Sequence, residues 1–167
     1  MTTLLEAAAQ AEQLAQAGDE RGLATLRRDW DEEVEAAARS ADYRERAAAY
    51  RAIGQFRFRQ KLELLRRGLE DESPAARGSA LVSLQQLAKG NPGVINSVRP
   101  VLHTVATADG NGAVRRLAIL SLRYGSPQRD TIVLLNGLAE ADDQDAELRR
   151  TARSVAAELR KRAGPRG

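Results

Sequence analysis

The chain contains no cysteine and only one histidine among its 167 residues. The absence of cysteine excludes disulfide bonds and thiolate metal sites, so any metal site would need carboxylates. One acidic cluster exists, but it lacks the glycine and the terminal glutamate of a calcium-binding loop; its members are Asp142, Asp143 and Asp145. We therefore expect the protein to bind no metal and no cofactor.

Long apolar runs are also missing, because charged residues interrupt every apolar stretch within a few positions. This pattern predicts no transmembrane span. The opening residues 1–6 have neither a basic flank nor a long apolar core, so they do not resemble a secretory signal. These features are typical of a cytoplasmic, bacterial-type protein.

Catalytic groups are scarce. His103 lies in a predicted helix between Leu102 and Val105, and we interpret it as a packed or surface residue rather than a base. Gly110 and Gly112 precede a helix, but no strand comes before them and no lysine follows, which argues against a phosphate-binding loop. We expect the protein not to be an enzyme.

Charge is present in quantity but unevenly distributed. Residues 1–43 carry ten acidic residues and four arginines, although the whole chain has a net charge of +3. The remainder is therefore strongly basic. One interpretation is a solvated acidic helix face beside a basic one; the other is a basic body that attracts an anionic partner.

A local pattern recurs around four arginines. Each follows a helix-capping residue by four positions, precedes an alanine by three, and precedes a small or aliphatic residue by seven. The four sets are Asp42, Arg46, Ala49 and Ile53; Ser73, Arg77, Ala80 and Leu84; Asn111, Arg115, Ala118 and Leu122; Asp145, Arg149, Ala152 and Ala156. A unit that recurs every thirty-odd residues predicts a stack of helical repeats.

Nearly the whole chain is predicted to be helical. We expect nine helices, one leading helix followed by four helix–turn–helix pairs, and no strand. The cap residues satisfy free amides at the start of each second helix, and Ser126-Pro127 is predicted to cap a first helix. In the second helix of the chain, Trp30 completes an apolar stripe and is expected in the core.

An aspartate precedes three of the four arginines by six residues. From the first turns of its helix, each arginine could reach the aspartate of its own turn or of a neighbouring unit. This would create a structural ladder of charge-assisted hydrogen bonds across the stack, formed by Arg46, Asp71, Arg77, Asp109, Arg115, Asp143 and Arg149.

The segment from Leu69 to Leu84 resembles the turn and second helix of the HEAT-repeat family, with Asp71, Pro74, Arg77 and Ala80 in place. Residues 108–122 and 141–156 match more loosely, so the resemblance covers about residues 42–163. It implies an all-α fold, a right-handed α-α superhelix (solenoid) of about four compact HEAT-like repeats with an extra N-terminal capping helix. It also implies an architectural role for the ladder.

The expected organisation is one continuous domain. Residues 1–41 form acidic N-terminal capping helices, residues 42–163 form the repeat body, and residues 164–167 form a basic flexible tail. The first repeat departs from the pattern because Ser40 replaces the aspartate. It also has Glu45 where the other units have Ala76, Val114 and Leu148.

In HEAT-like stacks the second helices line a concave face. Positions one, five and eight after each repeated arginine point away from the core at 100° per residue. They combine apolar side chains with arginines and predict a cradle for an acidic peptide or a nucleic-acid backbone. The candidate partner-binding residues are Arg51, Val82, Gln85, Arg116, Leu120, Arg123, Arg150 and Ser154.

The resemblance implies a non-catalytic scaffold or adaptor that binds a protein partner, as a monomer or a homodimer. Nucleic-acid binding through the arginine-rich body and the basic end at residues 160–166 is the alternative. A HEAT-like DNA glycosylase or bilin-lyase subunit is a further one. A glycosylase pocket would need more aromatic side chains than Trp30 and three scattered tyrosines supply.

Overall fold

The computed structural model describes residues 1–165, and within these residues the only regular elements are nine α-helices and one 3₁₀ turn. The predicted all-α repeat fold is therefore confirmed. The chain divides into two compact units, Met1–Leu87 and Ala88–Gly167. The boundary falls at the last residue of the fifth helix.

The first unit contains the acidic leading helices and the first repeats. Helix α1 packs against α2 and α3, α2 packs against α3, and α3 packs against α4. A 3₁₀ turn at Arg59–Lys61 leads into α4. The helices are α1 (Leu4–Gln16), α2 (Glu20–Ala38), α3 (Tyr43–Gln55), α4 (Leu62–Gly68) and α5 (Pro74–Ala88).

The second unit consists of two helix–turn–helix pairs. Within each pair the two helices pack together, α6 on α7 and α8 on α9. Between the pairs, first helix packs on first (α6 on α8) and second on second (α7 on α9). This is the packing expected of stacked repeats. The helices are α6 (Gly93–Ala108), α7 (Gly112–Leu122), α8 (Arg129–Glu140) and α9 (Ala146–Ala163).

The four predicted caps are confirmed. Asp42 accepts from Arg44 N, Asn111 from Val114 N, and Asp145 from Glu147 N and Leu148 N, while Ser73 Oγ lies 3.4 Å from Ala76 N. The repeated apolar positions are confirmed as well, because all eight side chains are fully buried: Ala49, Ala80, Ala118, Ala152, Ile53, Leu84, Leu122 and Ala156. The shared pattern thus encodes the start of each second helix and its buried face.

Helices α3 and α5 approach closely at Gly54. A Cβ atom at this position would lie 2.7 Å from Ser83 Oγ and 2.8 Å from Ser83 Cα. The buried Ser83 hydroxyl accepts from Gly54 N at 3.0 Å and donates to the backbone carbonyl of Tyr50. Gly54 is therefore required by packing rather than by an unusual backbone angle.

Two local predictions are wrong. Helix α8 begins at Arg129 rather than after Ser126, and Ser126 Oγ instead accepts from Asn96 Nδ2 at 3.0 Å. Trp30 is half-buried rather than in the core, whereas Leu23 and Val34 of the same stripe are fully buried. Of the predicted basic tail, residues 166 and 167 lie outside the described residues.

Candidate interaction surface

The first predicted ladder arginine makes contacts to two turns. Arg46 donates from Nε and Nη2 to the two carboxylate oxygens of Asp71, at 2.8 and 2.9 Å, and from Nη1 to the carbonyls of Ser40 and Ala41. The hydrogen bonds from Arg46 lower the pKa of Asp71, and the Ser73 backbone N–H adds to them against the opposing effect of burial. Arg46 thus ties its own turn to the next.

The later arginines keep the position, and two of them, Arg115 and Arg149, contact groups other than the predicted aspartates. Arg77 Nη1 donates to the carbonyl of Asp71 at 2.8 Å. Arg115 Nη1 donates to Gln144 Oε1 at 2.7 Å, so an amide takes the place expected for Asp143. Arg149, in the last helix, bonds the carbonyl of Ala139 and lies 3.8 Å from Asp142. These contacts favour the structural role expected of this position.

Four of the predicted partner-binding residues share one groove in the second unit. The groove lies between α7 and α9 and has a volume of about 310 Å³. We name it the α7–α9 groove. It is lined by Leu120, Arg123, Glu147, Arg150, Thr151, Ser154 and Val155. The repeat register therefore brings Leu120, Arg123, Arg150 and Ser154 together on one surface.

Two of the arginines predicted to bind a partner form ion pairs with acidic residues of the same chain. Arg116 contacts Glu147, and Arg123 Nε donates to Glu158 Oε2 at 3.0 Å. Arg150 is exposed and has no ion pair among the described residues. Neither acidic partner was predicted, because Glu147 and Glu158 are not among the outward positions of α9 at 150, 154 and 157. The groove is consequently less basic than predicted.

A second groove adjoins the first, because Arg123 lines both. It has a volume of about 280 Å³ and is lined by Ala88, Gly90, Pro92, Arg123, Tyr124, Glu158 and Arg162. Arg162 donates to the carbonyls of Arg123 and Gly125, which holds the end of α9 against the loop after α7. The Arg123–Glu158 pair thus stands between two open surfaces of the second unit.

The remaining predicted residues, Arg51, Val82 and Gln85, lie in the first unit and are half-buried. Arg51 donates to Gln86 Oε1 at 2.9 Å, and Gln86 Nε2 donates to Glu12 of α1. Burial by itself would raise the pKa of Glu12, but the hydrogen bond and charge of Arg57 outweigh it and lower that pKa. Arg51 therefore belongs to a network that holds α1 in place.

The first unit has a cavity of about 500 Å³ with three arginines in its wall. Two of them are neutralised, since Arg27 pairs with Glu20 and Arg57 with Glu12. The cavity is lined by Ala15, Glu20, Leu23, Arg27, Arg57, Arg59 and Gln60. Its charge balance gives no strong preference for an anion.

A buried polar cluster in the second unit was not predicted. Arg99 is 5% exposed and donates to Thr131 Oγ1 at 2.9 Å and to the carbonyl of Ser126 at 3.0 Å. His103 Nε2 lies 2.9 Å from the same hydroxyl. Burial lowers the pKa of Arg99; burial and the charge of Arg99 together lower that of His103. The apolar stripe of α6 gives no signal for this cluster.

Residues 1–165 contain no group of three or more His, Cys, Asp or Glu side chains that could hold a metal ion. No helix in this described part of the chain is long and apolar enough to cross a membrane.

The fold defines a class, the all-helical repeat proteins. A family model described as HEAT repeats matches residues 32–105. This segment, which contains α3, α4 and α5, most of α6 and the end of α2, is thus similar to HEAT repeats. A search of curated proteins found no matching relative. HEAT repeats generally serve as scaffolds for protein interactions.

Proposed function

We propose that the protein is a non-catalytic scaffold of the bacterial cytoplasm that binds a protein partner through the α7–α9 groove. The observation that carries this proposal is the meeting of Leu120, Arg150 and Ser154 in one open groove. Their positions recur on the outward side of each second helix, the side that HEAT-like stacks use for binding.

The groove favours a partner segment that combines an apolar side chain with a carboxylate. Leu120 and Val155 supply apolar surface, and Arg150 supplies a guanidinium without an intramolecular ion pair among the described residues. Arginine binds carboxylates with two parallel hydrogen bonds, which adds geometric specificity. An acidic peptide is the ligand that these groups fit best.

Site-specific photo-crosslinking in cells tests the proposal. A photoreactive residue at position 154, inside the groove, should capture a partner that the same residue at position 153 does not. Ser154 and Arg153 are adjacent, exposed and on the same helix, but only Ser154 lines the groove. Equal capture at both positions, or unchanged affinity of the purified partner for Arg150→Glu, would contradict the proposal.

Nucleic-acid binding is the second candidate, supported by the exposed basic residues Arg160 and Lys161 near the end of α9. It predicts affinity for DNA or RNA that falls steeply with salt concentration. Few aromatic side chains are available to stack on bases, since aromatic residues make up 4% of the chain. Gel-shift measurements at low salt separate the two proposals, because a protein adaptor should show no such binding.

A further inference from the structure

An apolar groove with an acidic rim lies in the first unit, where α1, α2 and α3 meet. Its volume is about 380 Å³. Leu4, Ala37 and Ala48 are half-buried within it, and Leu5 projects at its edge with 68% of its surface exposed. We name it the N-terminal groove.

Two carboxylates border the N-terminal groove, Glu33 from α2 and Glu45 from α3. Both side chains are exposed, and neither has an ion pair or hydrogen bond among the described residues. The α7–α9 groove differs in this respect, because Arg123, one of its two arginines, is paired with Glu158. The charge of the N-terminal groove is therefore open to a partner.

The repeat register makes Glu45 unusual. The residue that directly precedes the repeated arginine is apolar and buried in the other three units: Ala76 is 0% exposed, and Val114 and Leu148 are each 3% exposed. Glu45 occupies the same register but is exposed at the rim of a groove. A position that serves internal packing elsewhere thus carries a free carboxylate here.

We infer that the N-terminal groove binds a segment of a partner protein that carries arginine or lysine beside an apolar side chain. The apolar side chain would cover Leu4 and Leu5, which removes apolar surface from water. The cationic groups would form charge-assisted hydrogen bonds with Glu33 and Glu45. The excess of acidic residues in this part of the chain would attract such a segment.

This inference is independent of the proposed function, because the two grooves lie in different units and share no residue. The probe for the test is a synthetic amphipathic peptide with leucines on one helical face and arginines on the other. Its affinity for the full chain is measured by fluorescence anisotropy, and a scrambled peptide of the same composition is the first control.

Two matched pairs of variants locate the binding. Glu33→Gln with Glu45→Gln should weaken binding by about tenfold, whereas Glu32→Gln with Glu72→Gln, which removes the same charge outside the groove, should not. Leu5→Ser should also weaken binding, whereas Val133→Ser, at a residue that is 60% exposed in the second unit, should not.

Several outcomes would overturn the inference. They are a wild-type protein that does not bind the probe, equal binding of the scrambled peptide, and equal losses in the groove and control variants. Sedimentation velocity adds one more: self-association that disappears in the Glu33→Gln and Glu45→Gln variant would assign the groove to a second copy of the chain. Unchanged thermal melting of all variants shows that the losses do not arise from unfolding.

Discussion

Arg46 and Asp71 form a two-point ion pair in which Nε donates to Oδ2 at 2.8 Å and Nη2 donates to Oδ1 at 2.9 Å. The Asp71 side chain is 6% exposed and the Arg46 side chain 12% exposed. Asp71 also accepts from the backbone N–H of Ser73 at 2.9 Å. One carboxylate thus connects α3 to the turn that starts α5.

Asp71→Asn is expected to destabilise the first unit. It removes the charge that Arg46 contacts, and we expect the free energy of unfolding to fall by about 2 kcal/mol at neutral pH. Urea unfolding measures this loss. Asp142→Asn is the control, because Asp142 is fully exposed and only 3.8 Å from its arginine. Equal losses in the two variants would contradict the structural role of the Arg46–Asp71 pair.

The same carboxylate predicts the behaviour in acid. The pKa of Asp71 is lower in the folded protein than its ordinary value. Its stabilisation is therefore fully present above the unfolded-state pKa of about 4 and is lost as the pH falls through the folded-state pKa. The Asp71→Asn variant should lose less stability than the wild type over this acid range, and parallel pH profiles would contradict the prediction.

Two Gly-to-Ala substitutions should have opposite signs. At Gly54 a Cβ would lie within 2.8 Å of Ser83 backbone, so α3 and α5 must separate, at a cost of about 1–3 kcal/mol. At Gly137, exposed within α8, a Cβ would meet no atom within 4 Å, and alanine should stabilise the helix by about 1 kcal/mol. Thermal melting of both variants checks the pair; two shifts of the same sign would refute the packing argument.

His103 provides a direct probe of the buried cluster, because it is the only histidine in the chain. Burial lowers its pKa, the charge of Arg99 lowers it further, and Asp130 opposes both. NMR titration should give a pKa below the ordinary value. Arg99→Met should raise that pKa, while Arg129→Met, at an exposed residue of α8, should change it little.

The lowered pKa of His103 also fixes the sign of a pH effect on stability. At pH values between the folded-state pKa and the unfolded-state pKa of about 6.5, His103 is protonated in the unfolded chain but neutral in the folded protein. The contribution to stability is therefore full above this pH and decreases as the pH falls towards the folded-state pKa. His103→Gln should flatten the unfolding free energy over this range, and an unchanged slope would contradict it.

The repeat pattern was predictable because it depends on local chemistry. The caps Asp42 and Asn111 and the buried alanines Ala80 and Ala118 follow from helix starts and helix periodicity. The partners of exposed side chains depend instead on which turns and helices come together. For this reason, the sequence could not predict that Arg115 donates a hydrogen bond to Gln144 rather than to Asp143.

The same distinction applies to the candidate sites. Helix periodicity placed Leu120 and Ser154 in one groove, because both project from the outward side of a second helix. It did not reveal that Glu158 neutralises Arg123, since their contact depends on the relative rotation of α7 and α9. Nor did it reveal the N-terminal groove, which three helices form jointly.

Of the two arginines in the α7–α9 groove, Arg123 should contribute to stability, whereas Arg150 should not. Arg123→Glu places a carboxylate opposite Glu158 in place of the 3.0 Å ion pair, and should destabilise the second unit by about 1 kcal/mol. Glu158→Arg added to it should restore the pair and most of the stability. Arg150→Glu should change stability by less than about 0.5 kcal/mol, because Arg150 is exposed and has no ion pair in the described chain.

Chemical unfolding of these three variants measures this difference, and a double variant no more stable than Arg123→Glu alone would contradict it. The result decides how binding data are interpreted. A loss of partner affinity in Arg123→Glu would combine a changed groove with a weakened fold. The same loss in Arg150→Glu, at unchanged stability, would belong to the surface alone, which makes Arg150 the more informative position for testing the α7–α9 groove.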